Sequence, residues 1–338
     1  MNYELLGISV LWIFLYGYLI VASIDFGAGF FSFYSMLTKE RHLIHGVIER
    51  YLSPVWEVTN VFLIFFFVGM VGFFPDTAYY LGTTLLIPGS IAIILIALRG
   101  SYYAFSTYGA KDNKLYMFVY GASGLLIPAS LSMVLTISEG GFIEEKAGKL
   151  TLLYDKLLAS PYAWSVVLLA IVSILYISAV FLTFYADRAR DFAALQVVRK
   201  YAFAWSVPTI LSSLLVFFSI HRHNPDHFAK MMDLAWMFVL SFLCFLGAIR
   251  LIWQGRRYGT AFVLVMLQFA LAFFGYGAAH LPYIVYPFVT IHESITSPTM
   301  ALALVMAFIA GLLLLIPSLV LLMRLFLFDA DYVQGKKK

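Results

Sequence analysis

The sequence predicts an all-α polytopic membrane protein with nine spans, its N-terminus outside and its C-terminus in the cytoplasm. Three observations carry that expectation. Of the 338 residues, 62% are apolar and 12% are charged, whereas soluble chains run near ~45–50% and ~25%. The mean hydropathy is +0.91. The apolar residues form continuous runs of Leu, Ile, Phe and Val rather than the alternation of a barrel strand. Finally, Lys and Arg gather on alternate links between the runs. The scarcity of charge excludes a disordered chain, a nucleic-acid binder and a soluble enzyme. The net charge of +4 reports topology before any acidic partner.

Crossing ~30 Å of hydrocarbon at ~1.5 Å per residue takes ~20 apolar residues. That ruler places the spans at roughly 5–36, 54–74, 79–99, 115–137, 162–185, 201–220, 231–252, 260–281 and 299–326. The first run has no basic segment before it and no small-residue cleavage site, so it reads as a retained span rather than a signal peptide. It exceeds one membrane thickness, as does the last, and each must tilt, bend or emerge. Gly27-Ala28-Gly29 in the first and Pro317 in the last are the places expected to kink or break. The second run opens on Ser53-Pro54, an N-cap followed by N1. Arg99 closes the third. Gly121 and Gly124 in the fourth, and Gly275 and Gly277 in the eighth, suit close helix packing. Cys244, the single cysteine, lies in the seventh, which excludes an intrachain disulfide and a Cys-based metal site.

With the N-terminus outside, 17 of the 22 Lys and Arg fall on inner segments. Among them are Lys39, Arg99, Arg190, Arg256 and the tail Lys336 to Lys338. The outer set is Lys146, Lys149, Lys156, Arg222 and Lys230. The longest link, Ser138 to Pro161, is outer and divides the chain into four spans and four plus one. The corresponding units are 1–140, 141–285 and 286–338, the last a ninth helix with a basic cytoplasmic tail. No link is long enough for a soluble domain.

An ionisable side chain in lipid is expensive and marks a functional site or an interhelical pair. Asp25 interrupts the first span toward its inner end. It is either a headgroup-level acid or a buried, protonatable carboxylate, and apolar residues on both sides favour the second. Glu57 follows the Ser53-Pro54 start, where it either complements the helix dipole or has a functional role. Arg99 alone reads as a positive-inside anchor. Together the three come from consecutive spans on the cytoplasmic side. With Ser23, Thr59 and Asn60 they suit a proton entry route.

The histidines argue against a bis-His haem, which needs ligands at matched depth on facing helices. His42 and His45 fall in an inner loop, and His221, His223 and His227 in an outer one. His292 lies in the last outer link, and His280 near the outer end of its span. Each reads as an interfacial polar residue. The irregular spacing of His221, His223 and His227 makes a weak metal motif, and no metal or cofactor is expected on this chain. Gly-rich phosphate loops and nucleophile elbows are absent.

Three segments carry a resemblance. Tyr16-Gly17-Tyr18-Leu19-Ile20 through Asp25-Phe26-Gly27-Ala28-Gly29 resembles the first helix of subunit II of the cytochrome bd quinol oxidases. Pro54-Val55-Trp56-Glu57 is similar to that family's Pro-x-Trp-Asp/Glu, and Leu98-Arg99-Gly100 to its Arg-Gly or Arg-Pro. Thr59, Asn60 and Phe62, and Tyr102, Tyr103 and Phe105 farther on, depart from the usual residues and suggest a divergent branch of the Gram-positive kind. The resemblance implies two four-helix bundles plus one peripheral helix. It implies a haem-bearing subunit I with two b-type haems and one d-type haem as partner, and none of these haems on this chain. Quinol and O2 are then the substrates of the complex, with membrane lipid around it, while the presence of a small single-helix accessory subunit is left open by the sequence. It implies a cytoplasmic proton pathway through Asp25 and Glu57, with Trp56 and Arg99 setting their orientation and charge. The rival reading is a stand-alone proton-coupled secondary transporter. It is disfavoured because the ionisable groups cluster on the inner side. A purely structural scaffold would leave both acids dispensable.

Overall fold

The computed structural model describes residues 3–38, 41–108, 114–146, 148–322 and 324–325, without the side chains of 41, 45, 49–58 and 103–108. The first helix, α1 (Tyr3–Leu37), is 35 residues long, about 52 Å at ~1.5 Å per residue. It runs unbroken through Gly27-Ala28-Gly29, where a kink was expected. Those small residues are contact points instead. Next comes α2 (Arg41–Phe73), which begins well before Ser53-Pro54. The expected N-terminus there is therefore corrected. Glu57 lies in the middle of a helix, away from a first-turn dipole, and His42 and His45 belong to this helix rather than to a loop.

Pro75 then starts α3 (Pro75–Thr84), followed by α4 (Leu86–Tyr108). The two are bent by 83° about Leu85, so the expected straight span over 79–99 is two helices. Arg99 does not end α4, which continues to Tyr108. A short break separates α5 (Lys114–Leu131) from α6 (Met133–Ser138). The long link is not bare loop. It folds as an antiparallel hairpin of β1 (Ile143–Lys146) and β2 (Lys149–Leu152), then α7 (Tyr154–Ala159).

Ser160 caps α8 (Pro161–Arg188), its side chain accepting from the Ala163 N–H, with Pro161 in the first turn. Asp191 caps α9 (Phe192–His223) in the same way, and Asn224 caps α10 (Pro225–Asp233). His221 and His223 therefore end a helix, and His227 sits in the first turn of another, not in a loop. The remaining long helices are α11 (Ala235–Gln254), α12 (Tyr258–His280) and α13 (Pro298–Leu322). A second small hairpin, β3 (Tyr283–Val285) and β4 (Val289–Thr290), joins the last two. Among the described residues, seven helices are long and apolar enough to cross a membrane. The bent pair α3–α4 makes an eighth if counted as one span, and the described apolar part of α2 is the shorter Thr59–Phe73.

Helices α1 and α8 form the centre. Gly27 lets them touch, since a Cβ there would lie 2.3 Å from Ser178 Cβ and 2.9 Å from the Ile174 carbonyl oxygen. The Ser178 hydroxyl donates to the Ile24 carbonyl at 2.9 Å, closing the same crossing. The buried side chains form two clusters stacked along α1. One gathers around Ile24, Phe31, Tyr176 and Tyr185, the other around Phe14, Phe73, Ile137 and Met231. Each draws on both halves of the chain. Helix α13 lies outside, burying Ala301, Val305 and Phe308 while most of its side chains face outward.

Candidate functional site

Asp25, on α1, and Arg99, on α4, meet in the interior, each side chain only 1% exposed. Arg99 Nε donates to Asp25 Oδ2 at 3.0 Å and Nη2 to the Asp25 carbonyl at 2.6 Å. Its Nη1 donates to the Tyr120 carbonyl at 2.8 Å, and the Tyr120 hydroxyl returns to Asp25 Oδ1 at 3.3 Å. The guanidinium also lies over the Tyr120 ring at 3.9 Å and beside Phe26 at 5.1 Å. A charge taken from water is tolerated only when paired and hydrogen-bonded, and this one is both. Arg99 is therefore no lipid-facing anchor but the partner of Asp25.

Glycines make the space. A Cβ on Gly29 would stand 2.9 Å from both Nη1 and Nη2 of Arg99, and one on Gly124 would stand 2.4 Å from the Phe26 carbonyl oxygen. Of the other expected route residues, Thr59 is buried and Asn60 half-buried. The Ser23 hydroxyl donates back to the Leu19 carbonyl of its own helix. The side chains of Glu57 and Trp56 lie outside the described residues. Tyr120 was not foreseen. Gly121 and Gly124, which follow it on α5, admit Phe33 and the Phe26 backbone with Arg99, and so bring this helix against α1.

A second polar cluster lies at the opposite end, near the start of α1. Glu139 follows α6 and is fully enclosed. His227 Nδ1 is 2.7 Å and His280 Nδ1 3.3 Å from the same oxygen, Oε1. Asn224 Nδ2 donates to Oε2 at 3.0 Å, and the Tyr276 hydroxyl donates to Oε1. Gly140, at φ 85°, turns the chain so that this carboxylate points inward; a Cβ there would lie 2.6 Å from the Tyr286 carbonyl oxygen. Burial alone would push the Glu139 carboxyl up. Hydrogen bonds from His227 and His280, with their charge, outweigh it and hold the carboxyl well below the usual carboxylate range. Sequence reasoning passed over Glu139. An acid directly after an apolar run and before Gly-Gly was the available signal.

The two clusters differ in what they can hold. The His227 and His280 rings are 5.0 Å apart, and both address the Glu139 carboxylate. They do not face each other across an open plane, so a porphyrin does not fit between them. Of the other histidines, His223 is stacked between Phe142 and Tyr162. His292 bonds to Glu4.

The sequence matches the family described as Cytochrome bd terminal oxidase subunit II over residues 3–326. It is 35% identical to a Bacillus subtilis (strain 168) protein described as putative cytochrome bd menaquinol oxidase subunit II, over 98% of both chains. A chain in the structure of bd oxidase from Geobacillus thermodenitrificans is 60% identical, with a TM-score of 0.85. The match covers 97% of this chain and 100% of that one.

Proposed function

Since this chain belongs to the family of cytochrome bd terminal oxidase subunit II, we propose that it is the haem-free partner of a haem-bearing subunit I and conducts cytoplasmic protons toward it. Membership makes it part of an oxidoreductase complex, as a multi-pass protein of the bacterial plasma membrane. The name of the Bacillus subtilis relative favours a menaquinol as electron donor. Bound in subunit I, two b-type haems and one d-type haem would supply electron transfer from quinol and the reduction of O2 to water. This chain's own part is to brace that subunit and to move protons.

The observation that carries the proposal is the buried Asp25–Arg99–Tyr120 constellation. A carboxylate this deep in the bundle, 1% exposed, supports a role in a path through the protein rather than at its surface. Glu57, one helix away in the chain, is proposed as the second carrier, with Trp56, Thr59 and Asn60 along the route. Ser23, whose hydroxyl stays on its own helix, supports the site without carrying protons.

The test is oxygen consumption by the purified complex carrying Glu57→Gln or Asp25→Asn, with haem content measured alongside. The expected result is a loss of about tenfold or more, ~1.4 kcal/mol on the limiting barrier, at normal haem content. Unchanged turnover in both variants would remove the relay. A colourless single polypeptide, recovered even by gentle extraction, would return the chain to the transporter reading.

A further inference from the structure

Glu139, His227 and His280 come from three separate elements, and one ligand atom from each lies within 4.8 Å of the others. His227 Nε2 is 3.1 Å from the Tyr276 carbonyl oxygen. A carbonyl only accepts, so Nε2 carries the proton and, in the neutral ring, Nδ1 carries the lone pair. A proton on Nδ1 as well lets the ring donate to the carboxylate oxygen 2.7 Å away; without it, that contact calls for a cation between the two. His280 presents its Nδ1 to the same oxygen, and its buried Nε2 has no hydrogen-bond partner. Protons alone would have to charge both rings against a single carboxylate. A divalent cation takes both rings and the carboxylate at once.

From this geometry we infer that Glu139, His227 and His280 form a binding site for a divalent transition metal, with Zn2+ the best-fitting ion. Two imidazoles and one carboxylate are a zinc donor set. Ligands ~2.0–2.1 Å from a tetrahedral ion stand about 3.3 Å apart. His280 Nδ1 already has that spacing from Oε1, and His227 Nδ1 must retreat by about 0.6 Å to reach it. The surroundings match those of a metal site. A ligating histidine typically donates its other N–H to a carbonyl, and a ligating carboxylate is itself hydrogen-bonded. His227 does the first toward Tyr276, while Asn224 and the Tyr276 hydroxyl do the second. His280, with 10% of its side chain exposed, borders the entry path. The fourth position is left to water. The bound ion would clip the link after α6 to α10 and α12, joining the two halves of the chain at this end.

The experiment uses the intact complex from its native membrane, washed with chelator, equilibrated with limiting zinc and assayed by elemental mass spectrometry. About one zinc per chain is expected in the wild type, with affinity lowered at least tenfold by His227→Ala and by His280→Ala. Equal retention in wild type and variants, or none in the wild type, overturns the site. Should a variant fail to assemble, zinc-edge X-ray absorption of the wild-type complex decides. Two imidazoles and an oxygen shell support the assignment, and sulfur or no imidazole overturns it. None of these readouts depends on oxygen reduction, so this site and the proton route fail or stand separately.

Discussion

Among the described residues, Arg99 places three donors on two neighbours: one on the Asp25 carboxylate and two on the carbonyls of Asp25 and Tyr120. This use of the guanidinium fork is unavailable to a lysine, which offers a single point charge. The pair's energetics follow from burial rather than from Coulomb attraction. Removing one member leaves the other charged in a dry interior, at about 3–5 kcal/mol, whereas removing both costs far less. Asp25→Asn and Arg99→Gln should therefore each lower the thermal stability of the detergent-solubilised complex clearly, and the double variant should recover most of the loss. Additive losses in that cycle would show that the two side chains do not depend on each other. The double variant also separates roles. A stable complex that still reduces oxygen slowly would place the defect in proton delivery and not in folding.

At the scale of elements, contact between α1 and its neighbours rests on missing side chains. A Cβ on Gly27 would meet Ser178 and the backbone of Ile174, neither of which can swing aside as a flexible chain end can. Gly27→Ala should therefore push α1 from α8 and cost about 1–3 kcal/mol, as overpacking typically does. Thermal unfolding of the complex checks it, and an unchanged midpoint would mean the crossing is looser than it looks. The same helices show how far the sequence was legible. Hydrophobic runs placed the long helices because lipid demands them. They could not reveal the 83° bend at Leu85, since apolar residues continue through it on both sides. Nor could they reveal that α2 starts at Arg41, because Ser53-Pro54 is a sound local start signal that the longer helix overrides. Asp25 and Arg99 stood out as costly residues in lipid, but their pairing is a fact of α1–α4–α5 packing. Glu139 stayed hidden because its partners lie 88 and 141 positions away along the chain, beyond any local motif.

For the whole molecule the decisive question is which end faces the cytoplasm, since a proton route is useful only if it opens there. The two polar clusters sit at opposite ends of the bundle, Asp25 with Arg99 toward the end of α1 and Glu139 with the histidines toward its start. The excess of Lys and Arg on the first of these ends is the basis for expecting it in the cytoplasm, because basic links resist translocation. Two exposed positions distinguish the alternatives: Lys156 on α7, and Arg256 in the turn between α11 and α12. Background labelling of this chain is low because Cys244, its single cysteine, is 6% exposed. In spheroplasts, a membrane-impermeant maleimide should label Lys156→Cys at once and Arg256→Cys only after lysis. The reverse pattern would place Asp25 and Arg99 on the outer side, where they cannot draw on cytoplasmic protons. It would also turn the Glu139 cluster inward, toward a compartment where free zinc is scarce. One labelling experiment therefore bears on both sites, because the fold fixes them at opposite ends.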